Sequence, residues 1–466
     1  MGRTALLATE SHTSDAPVYR GHPLLGAAPD FRRDPFDTLL RAARLGPVVR
    51  FRVPPGVPIR SYGLFSPECA QRVLVQETGG YTKDSAPYQE VAAAFGNGLL
   101  TAQREEWHRQ RRFVAPLFTP RRLEQDYVPT LVAEGTLLRD RWLTAPEATL
   151  DVHAASVRYT LRAVGRMLFG ADLDPLLPAF GPAFAQLNVH LRQRLTASLL
   201  APRSWPTPGN LRGRKAQRSL YGMVDAIIAD RQAAGRSEDD LLGRLLAARH
   251  AETGEGLTAG EVRDQVLIFL LAGQETTSTT LAFALQFLAL HPQVQRRVAA
   301  EAAGVLDGGP PTGDAVRTMP YTQQVVKETM RLYPPAYAVS RYTHDGDVVG
   351  GVEILPESNV AVGTFALHRS PQLWPDPNRF DPDRFAPAQV ESRHRYAWLP
   401  FGAGPRVCIG AQLAMIEATV AIALLTHRHV IVAARRDRPA APVGAVPAGL
   451  VLRPAWPMPY RLVAQR

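Results

Sequence analysis

Apolar and polar positions alternate over 48–53 (VVRFRV) and again over 59–65 (IRSYGLF), the period of a strand that buries one face. Pro54-Pro55-Gly56 between them is a turn signal. From Gln103 onward the apolar positions recur every three to four residues instead. That spacing predicts helices over about 104–115, 122–143, 151–169, 176–195, 215–233, 238–250, 259–290, 293–305, 319–332 and 410–426. Proline and glycine cluster between them, most densely from 334 to 386. The fold class expected is mainly α with a small β component near each end, and no internal repeat is visible.

One predicted helix stands apart by its length. Thr258 and Glu261 have the spacing of a capping box, and His291-Pro292 is a stop signal. At about 1.5 Å per residue such a helix crosses a whole domain, so its middle must be buried. Its middle reads Leu271-Ala272-Gly273-Gln274-Glu275-Thr276-Thr277-Ser278-Thr279-Thr280. Glycine and a run of hydroxyl residues weaken a helical ladder, so a site is expected at that point.

Composition narrows the class. The 466 residues are 45% hydrophobic and 21% charged with two cysteines, which excludes a disordered chain and a disulfide scaffold. The formal charge is +10, almost all of it arginine, since lysine occurs only at 83, 215 and 327. Acids are interspersed with those arginines, and there is neither a basic tail nor an aromatic-interleaved basic stripe, so nucleic acid is not expected as a partner. The first sixteen residues are mixed polar and make no signal peptide. The longest apolar runs, 266–273 and 418–425, fall short of the roughly 20 residues of a bilayer span. A cytoplasmic protein without a transmembrane segment is expected, with residues 1–20 a flexible polar segment and 21–466 a single domain.

The two cysteines differ in context. Cys69, in Ser66-Pro67-Glu68-Cys69-Ala70, reads as a small buried hydrophobe. Cys408 lies in Phe401-Gly402-Ala403-Gly404-Pro405-Arg406-Val407-Cys408-Ile409-Gly410, directly before an apolar helix. A glycine-rich loop lets the backbone approach a bound group, and a helix N-terminus favours thiolate. Arg406 can face an anionic edge of that group. A zinc site needs three or four ligands, and no second Cys or His lies within ten residues of Cys408.

The segment resembles the haem-binding signature of the cytochrome P-450 haem-thiolate monooxygenases, Phe-x-x-Gly-x-Arg-x-Cys-x-Gly, and other motifs follow in the family's order. Glu328-Thr329-Met330-Arg331 is similar to the family's Glu-x-x-Arg helix, and Arg384 in Pro382-Asp383-Arg384-Phe385 would complete its buried network. Ala272-Gly273-Gln274-Glu275-Thr276-Thr277 resembles the oxygen-binding pattern of the long helix. Trp107-His108-Arg109-Gln110-Arg111 resembles the Trp-x-x-x-Arg helix.

The resemblance implies a single-domain P-450 fold, with haem b between the long central helix and the helix after the cysteine loop. Cys408 would be the axial thiolate ligand of the iron, and Trp107, His108, Arg111, Arg341, Phe401, Gly402, Arg406 and Gly410 would hold the cofactor. Gly273, with Ala272 before it, would leave a hollow for dioxygen, Thr276 would hold water by hydrogen bond, and Glu275 would relay protons. Substrate contacts by family position are Tyr88, Phe95, Phe269, Val339 and Leu450, mostly apolar, which implies a hydrophobic substrate.

The implied reaction inserts one atom of dioxygen by hydroxylation or epoxidation, in terpenoid, polyketide or fatty-acyl tailoring of secondary metabolism. A peroxide-driven or isomerising haem-thiolate enzyme and a non-catalytic haem sensor stay open beside it. Pro405 and Arg331-Leu332-Tyr333-Pro334-Pro335 look more like the fatty-acid and microsomal-type branch, while the arginine-heavy composition resembles an actinobacterial protein. With no fused reductase domain expected, electrons would come from NAD(P)H through a ferredoxin reductase and a ferredoxin. Arg109, Arg112, Arg121 and Arg122 would offer the ferredoxin a basic docking face, and the chain is expected to be a monomer.

Overall fold

The computed structural model describes residues 15–465 apart from 58, 76–79, 171, 197–201, 236–238, 250–253, 255, 310, 435–444 and 449–450. The central helix is Ala259–Leu290, and both halves of its capping box are made. Thr258 Oγ1 accepts from the Glu261 amide at 3.2 Å, and Glu261 Oε2 accepts from the Thr258 amide at 2.8 Å. The helix ends at His291 because Pro292 opens the next one, Pro292–Leu306.

Its polar middle does not break. Thr276 Oγ1 donates to Ala272 O at 2.7 Å, Thr280 Oγ1 to Thr276 O at 3.0 Å and Ser278 Oγ to Glu275 O at 3.2 Å, so the hydroxyls fold back onto the helix's own carbonyls. The helix Val152–Phe169 packs alongside, and its Thr160 donates to Gln274 O at 3.1 Å. Gly273 marks the closest approach of the two helices. A Cβ there would lie 2.8 Å from Val164 Cγ2, so this glycine lets the two helices pack closely.

Among the described residues the central helix alone is long and apolar enough to cross a membrane by length and composition. No apolar run reaches that length in the sequence. The helix passes because its polar middle holds a single ionisable residue, Glu275, and most of that window is buried inside the fold.

The remaining helices follow the expected pattern with local changes. The segment expected as one helix over 122–143 is a short helical turn, a π turn at Leu123–Tyr127 and the helix Val128–Thr144. Pro129 lacks the amide that a continuous ladder would need there. Among the helices of eight residues or more, three were not anticipated: Pro35–Ala43, Pro67–Leu74 and Ala86–Phe95. Each has proline in its first turn, and Asp34 and Ser66 cap the first two through their side chains, with Asp34 Oδ1 accepting from Phe36 N at 2.9 Å.

The strands are not confined to the ends of the chain. The main sheet runs Val18–Tyr19, Val48–Phe51, Arg60–Leu64, Ser358–Val362, Val339–Thr343, so its last two strands come from the proline- and glycine-dense stretch. Arg60–Leu64 pairs parallel with Ser358–Val362 and antiparallel with Val48–Phe51. Val18 and Tyr19 lie within the segment expected to be flexible, yet they pair with Arg50 and Phe51. A second sheet joins Thr149–Asp151, Pro459–Ala464 and His429–Ala433. The helix Ala411–Thr426 is buried from Glu417 to Thr426 and packs against the central helix and Pro320–Leu332, which brings the cysteine loop to the core.

Candidate active site

The cysteine loop is shaped by its glycines. Gly402 and Gly404 have φ of +68° and +71°, and a Cβ on Gly404 would lie 1.9 Å from Leu74 O, so no other residue fits. The Cys408 amide donates to Phe401 O at 3.0 Å and the Val407 amide to Gly404 O at 3.0 Å, closing the loop over the start of the helix Ala411–Thr426. The Cys408 side chain is accessible, although the helix it precedes is buried.

Desolvation by the surrounding protein pushes the Cys408 thiol up, against the pull of the Gly410 amide and the charges of Lys83 and Arg111. A bound cation reverses that balance, since a coordinating thiol is deprotonated outright.

Four cations gather beside the loop. Lys83 is 6% exposed and Arg341 4%, with Arg406 and Arg111 adjacent. Lys83 Nζ donates to Leu100 O at 2.9 Å, and Arg406 Nη2 donates to Ala102 O at 2.7 Å. The Arg406 guanidinium lies 4.3 Å over the Trp107 ring and that of Arg111 5.4 Å from it. Tyr88 hydrogen-bonds Arg341, and Lys83 Nζ sits 4.7 Å over the Tyr88 ring.

Among the described residues none of the four forms an ion pair, and Arg406 Nη1 is buried without a partner. Burial lowers the pKa of Lys83 well below its ordinary value, with Arg341 and Arg406 adding to the effect, and it lowers Arg406 to about 10. Buried cations without counter-charges are costly, so this cluster calls for an anion. A porphyrin carrying two propionates, with its iron at an accessible thiol, fits that donor set.

On the central helix Ala272 is exposed and Leu271, Gly273 and Thr276 partly so, while Gln274, Glu275 and the residues from Thr277 to Leu288 are buried. Ala272, Leu271, Gly273 and Thr276 mark the helix's internal accessible surface. Glu275 is 9% exposed, and Asn188 Nδ2 donates to its carboxyl oxygens at 3.2 and 3.4 Å. Burial raises the Glu275 pKa to about 8, eased by Asn188 and by the charge of Arg453. The group therefore carries a proton at neutral pH.

Glu328 and Arg331 are fully buried and joined by two bonds, Nε to Oε2 at 2.7 Å and Nη2 to Oε1 at 2.8 Å. Arg331 Nη1 also donates to His368 O and Pro377 O, at 2.8 and 2.7 Å. Arg384 Nε stands 3.6 Å from Glu328 Oε1, completing the expected triad. His368 is structural: its Nε2 accepts from the Leu399 amide at 2.8 Å, and burial lowers its pKa to about 3.

Other expected residues fall elsewhere. His108 is exposed, its ring meeting the edge of Trp107. Tyr88 belongs to the cation cluster and not to an apolar substrate wall. Phe269 is 7% exposed and stacked on Phe118, and Phe95 is 1% exposed beside Phe184. Val339 opens a strand of the main sheet and is partly accessible. Leu450 lies outside the described residues. Phe401 is partly buried, edge-on to Trp398.

The basic face divides in two. Arg109 is bound to Glu106 and Glu261, and Arg122 to Asp126 and Asp239, which leaves Arg112 and Arg121 as its exposed members.

Lys83 and Asn188 were missed in the sequence. A buried-stripe pattern could have found Asn188, since Phe184, Asn188, Leu191 and Leu195 share one helical face and only one of them is polar.

Comparison with known proteins agrees with this geometry. The cytochrome P450 family model matches residues 17–452. Cyclooctat-9-en-7-ol 5-monooxygenase of Streptomyces melanosporofaciens is 34% identical over 416 residues, 87% of this chain and 87% of that protein. Pentalenene oxygenase of Streptomyces avermitilis is 32% identical over 405 residues, covering 86% and 88%. The bifunctional cytochrome P450/NADPH–P450 reductase 1 of Bacillus subtilis is 31% identical over 430 residues, 89% of this chain and 39% of that longer protein. The chain thus belongs to the cytochrome P450 family of haem-thiolate monooxygenases.

Proposed function

We propose that this P450 inserts one atom of dioxygen into a cyclic terpenoid, a hydrocarbon or an alcohol, by hydroxylation or epoxidation. The relatives named for cyclooctat-9-en-7-ol and pentalenene support that substrate class. The observation that carries the reaction type is the intact pair of Glu275 and Thr276 at the accessible middle of the central helix. That pair favours dioxygen-dependent chemistry over the peroxide-driven, isomerising and sensor readings.

Bound haem supplies an iron centre able to activate dioxygen once it is reduced. Cys408 would hold the iron as thiolate, while Lys83, Arg341, Arg406 and Arg111 would face the propionates. Thr276 donates its hydroxyl proton to Ala272 O at 2.7 Å, which leaves its oxygen free to accept from a water. Glu275 holds a proton at its carboxyl below a pH of about 8, one residue away. Trp107 braces Arg406 and Arg111 through its ring face.

Electrons come from NAD(P)H through separate redox proteins, here a ferredoxin reductase and a ferredoxin, acting on a cytoplasmic monomer. The ferredoxin would dock on Arg112 and Arg121, the exposed members of the basic face.

The test is reconstitution with ferredoxin, reductase and a panel of cyclic terpenes. Expected are a thiolate-type carbon monoxide band in the reduced protein, a substrate-induced spin shift, and product coupled to NAD(P)H use. Cys408→Ala should lose that band, and a surviving band would refute axial ligation. Arg112→Glu should slow reduction by ferredoxin and Arg109→Glu should do so far less; equal effects would move the docking face elsewhere.

A further inference from the structure

Glu275 has one hydrogen-bond partner of unusual versatility. Asn188 lies on the helix Leu177–Thr196 and is 7% exposed, the one buried polar side chain among the described residues of that helix. Phe184, Leu187 and Leu191 around it are buried and apolar. A buried amide left without a partner keeps its full desolvation cost, so its contact with Glu275 has to be kept.

Few other groups act on this acid. Among the described residues the charged group bearing on Glu275 is Arg453, on the strand Val451–Pro454. The helix Val152–Phe169 meets the neighbouring residues, with Thr160 at Gln274 O and Val164 at Gly273, neither of them titratable. The central helix itself offers the hydroxyls of Thr276 and Ser278, both already directed at helical carbonyls.

An amide carries donors on its nitrogen and an acceptor on its oxygen, whereas a guanidinium or an ammonium only donates. A carboxylate needs donors, and a carboxylic acid also needs somewhere to send its own proton. Asn188 can meet the first need through Nδ2, as it does at 3.2 and 3.4 Å, and the second through Oδ1 after a half-turn about χ2. A cation at the same place would hold the acid ionised.

We propose that Asn188 is a positioning residue for proton delivery: its neutral amide holds Glu275 in place in both protonation states, so that the acid can release and regain its proton. The inference rests on the proposed function in one respect, the use of that proton in the reaction.

The experiment titrates the Glu275 carboxyl directly by infrared difference spectroscopy of the haem-loaded protein between pH 5 and pH 9. The protonated C=O stretch is assigned by its loss in Glu275→Gln. With Asn188→Lys the midpoint should fall by about one pH unit or more, with the isosteric Asn188→Asp it should rise by a similar amount, and Asn188→Gln should restore it towards the original value. In the reconstituted system Asn188→Lys should raise peroxide release per NAD(P)H several-fold while the carbon monoxide band stays of thiolate type. Midpoints that stay put in both charged variants would overturn the proposal, as would a wild-type protein without a protonated carboxyl band in this range. The retained thiolate band shows that each variant is folded. Failure of the proposed function would instead appear in the wild-type protein, as absence of that band or of oxygen use.

Discussion

Two buried glutamates on two helices, Glu275 and Glu328, are treated in opposite ways. Glu328 accepts from Arg331 Nε and Nη2 and from the Asp381 amide at 2.9 Å, with Arg384 3.6 Å away. Burial raises its pKa on balance, while Arg331, the Asp381 amide and Arg384 all pull the other way. Every bond is donated to it, which is the pattern of a permanent carboxylate in a rigid frame. Glu275 has a neutral amide and a more distant arginine, so desolvation wins and the pKa reaches about 8. The same side chain becomes a structural anion where cations surround it and a proton reservoir where they do not.

The largest effect should come from breaking the locked member. Glu328→Ala leaves Arg331 buried and uncompensated and should cost roughly 3–5 kcal/mol, read by denaturant unfolding together with loss of bound haem. A variant of normal stability would show that the arginines find other partners. Glu275→Gln is isosteric and should fold and bind haem normally while product formation falls roughly a hundredfold and peroxide rises. Retained coupling in that variant, or in Thr276→Ala, would end the contrast between the two glutamates.

A smaller effect is expected from Gly273→Ala, whose Cβ would meet Val164 Cγ2 at 2.8 Å. It should cost about 1–3 kcal/mol, and Val164→Ala should recover most of that in a double-mutant cycle. No recovery would mean that Val164 does not set that cost.

The finest test is the pH dependence of stability. Between the ordinary 4.5 and about 8 the folded protein keeps a proton on Glu275 that the unfolded chain has lost, so stability should fall as pH rises through that window. Glu275→Gln should flatten this component by one proton's worth of slope, measured as the difference between the two unfolding curves. Identical slopes would mean that Glu275 is ionised in the folded state.

Much of the frame was legible in the residues themselves. The central helix was expected at 259–290 and is Ala259–Leu290, because a capping box and a proline stop are local signals. The cysteine loop was legible for the same reason: Gly404 has to be glycine where it passes Leu74 O. The strands Val339–Thr343 and Ser358–Val362 were hidden, since each is short, lies in a proline- and glycine-dense stretch, and is stabilised by partners far away in sequence. Phe269 was placed at the substrate by its position on the helix, and its stacking on Phe118 is decided by packing alone.

What the sequence determined by itself is therefore what depends on neighbours along the chain: caps, glycine turns, the cysteine before its helix, and the order of motifs that marks the family. The tertiary structure decided the electrostatics. It brought Lys83, Arg341 and Arg406 together with no ion pair among the described residues, packed Gly273 on Val164, and gave Glu275 an amide from a helix 87 residues away. Burial and charge pairing act through space, and no local pattern encodes which distant side chain will stand within hydrogen-bond reach of an acid.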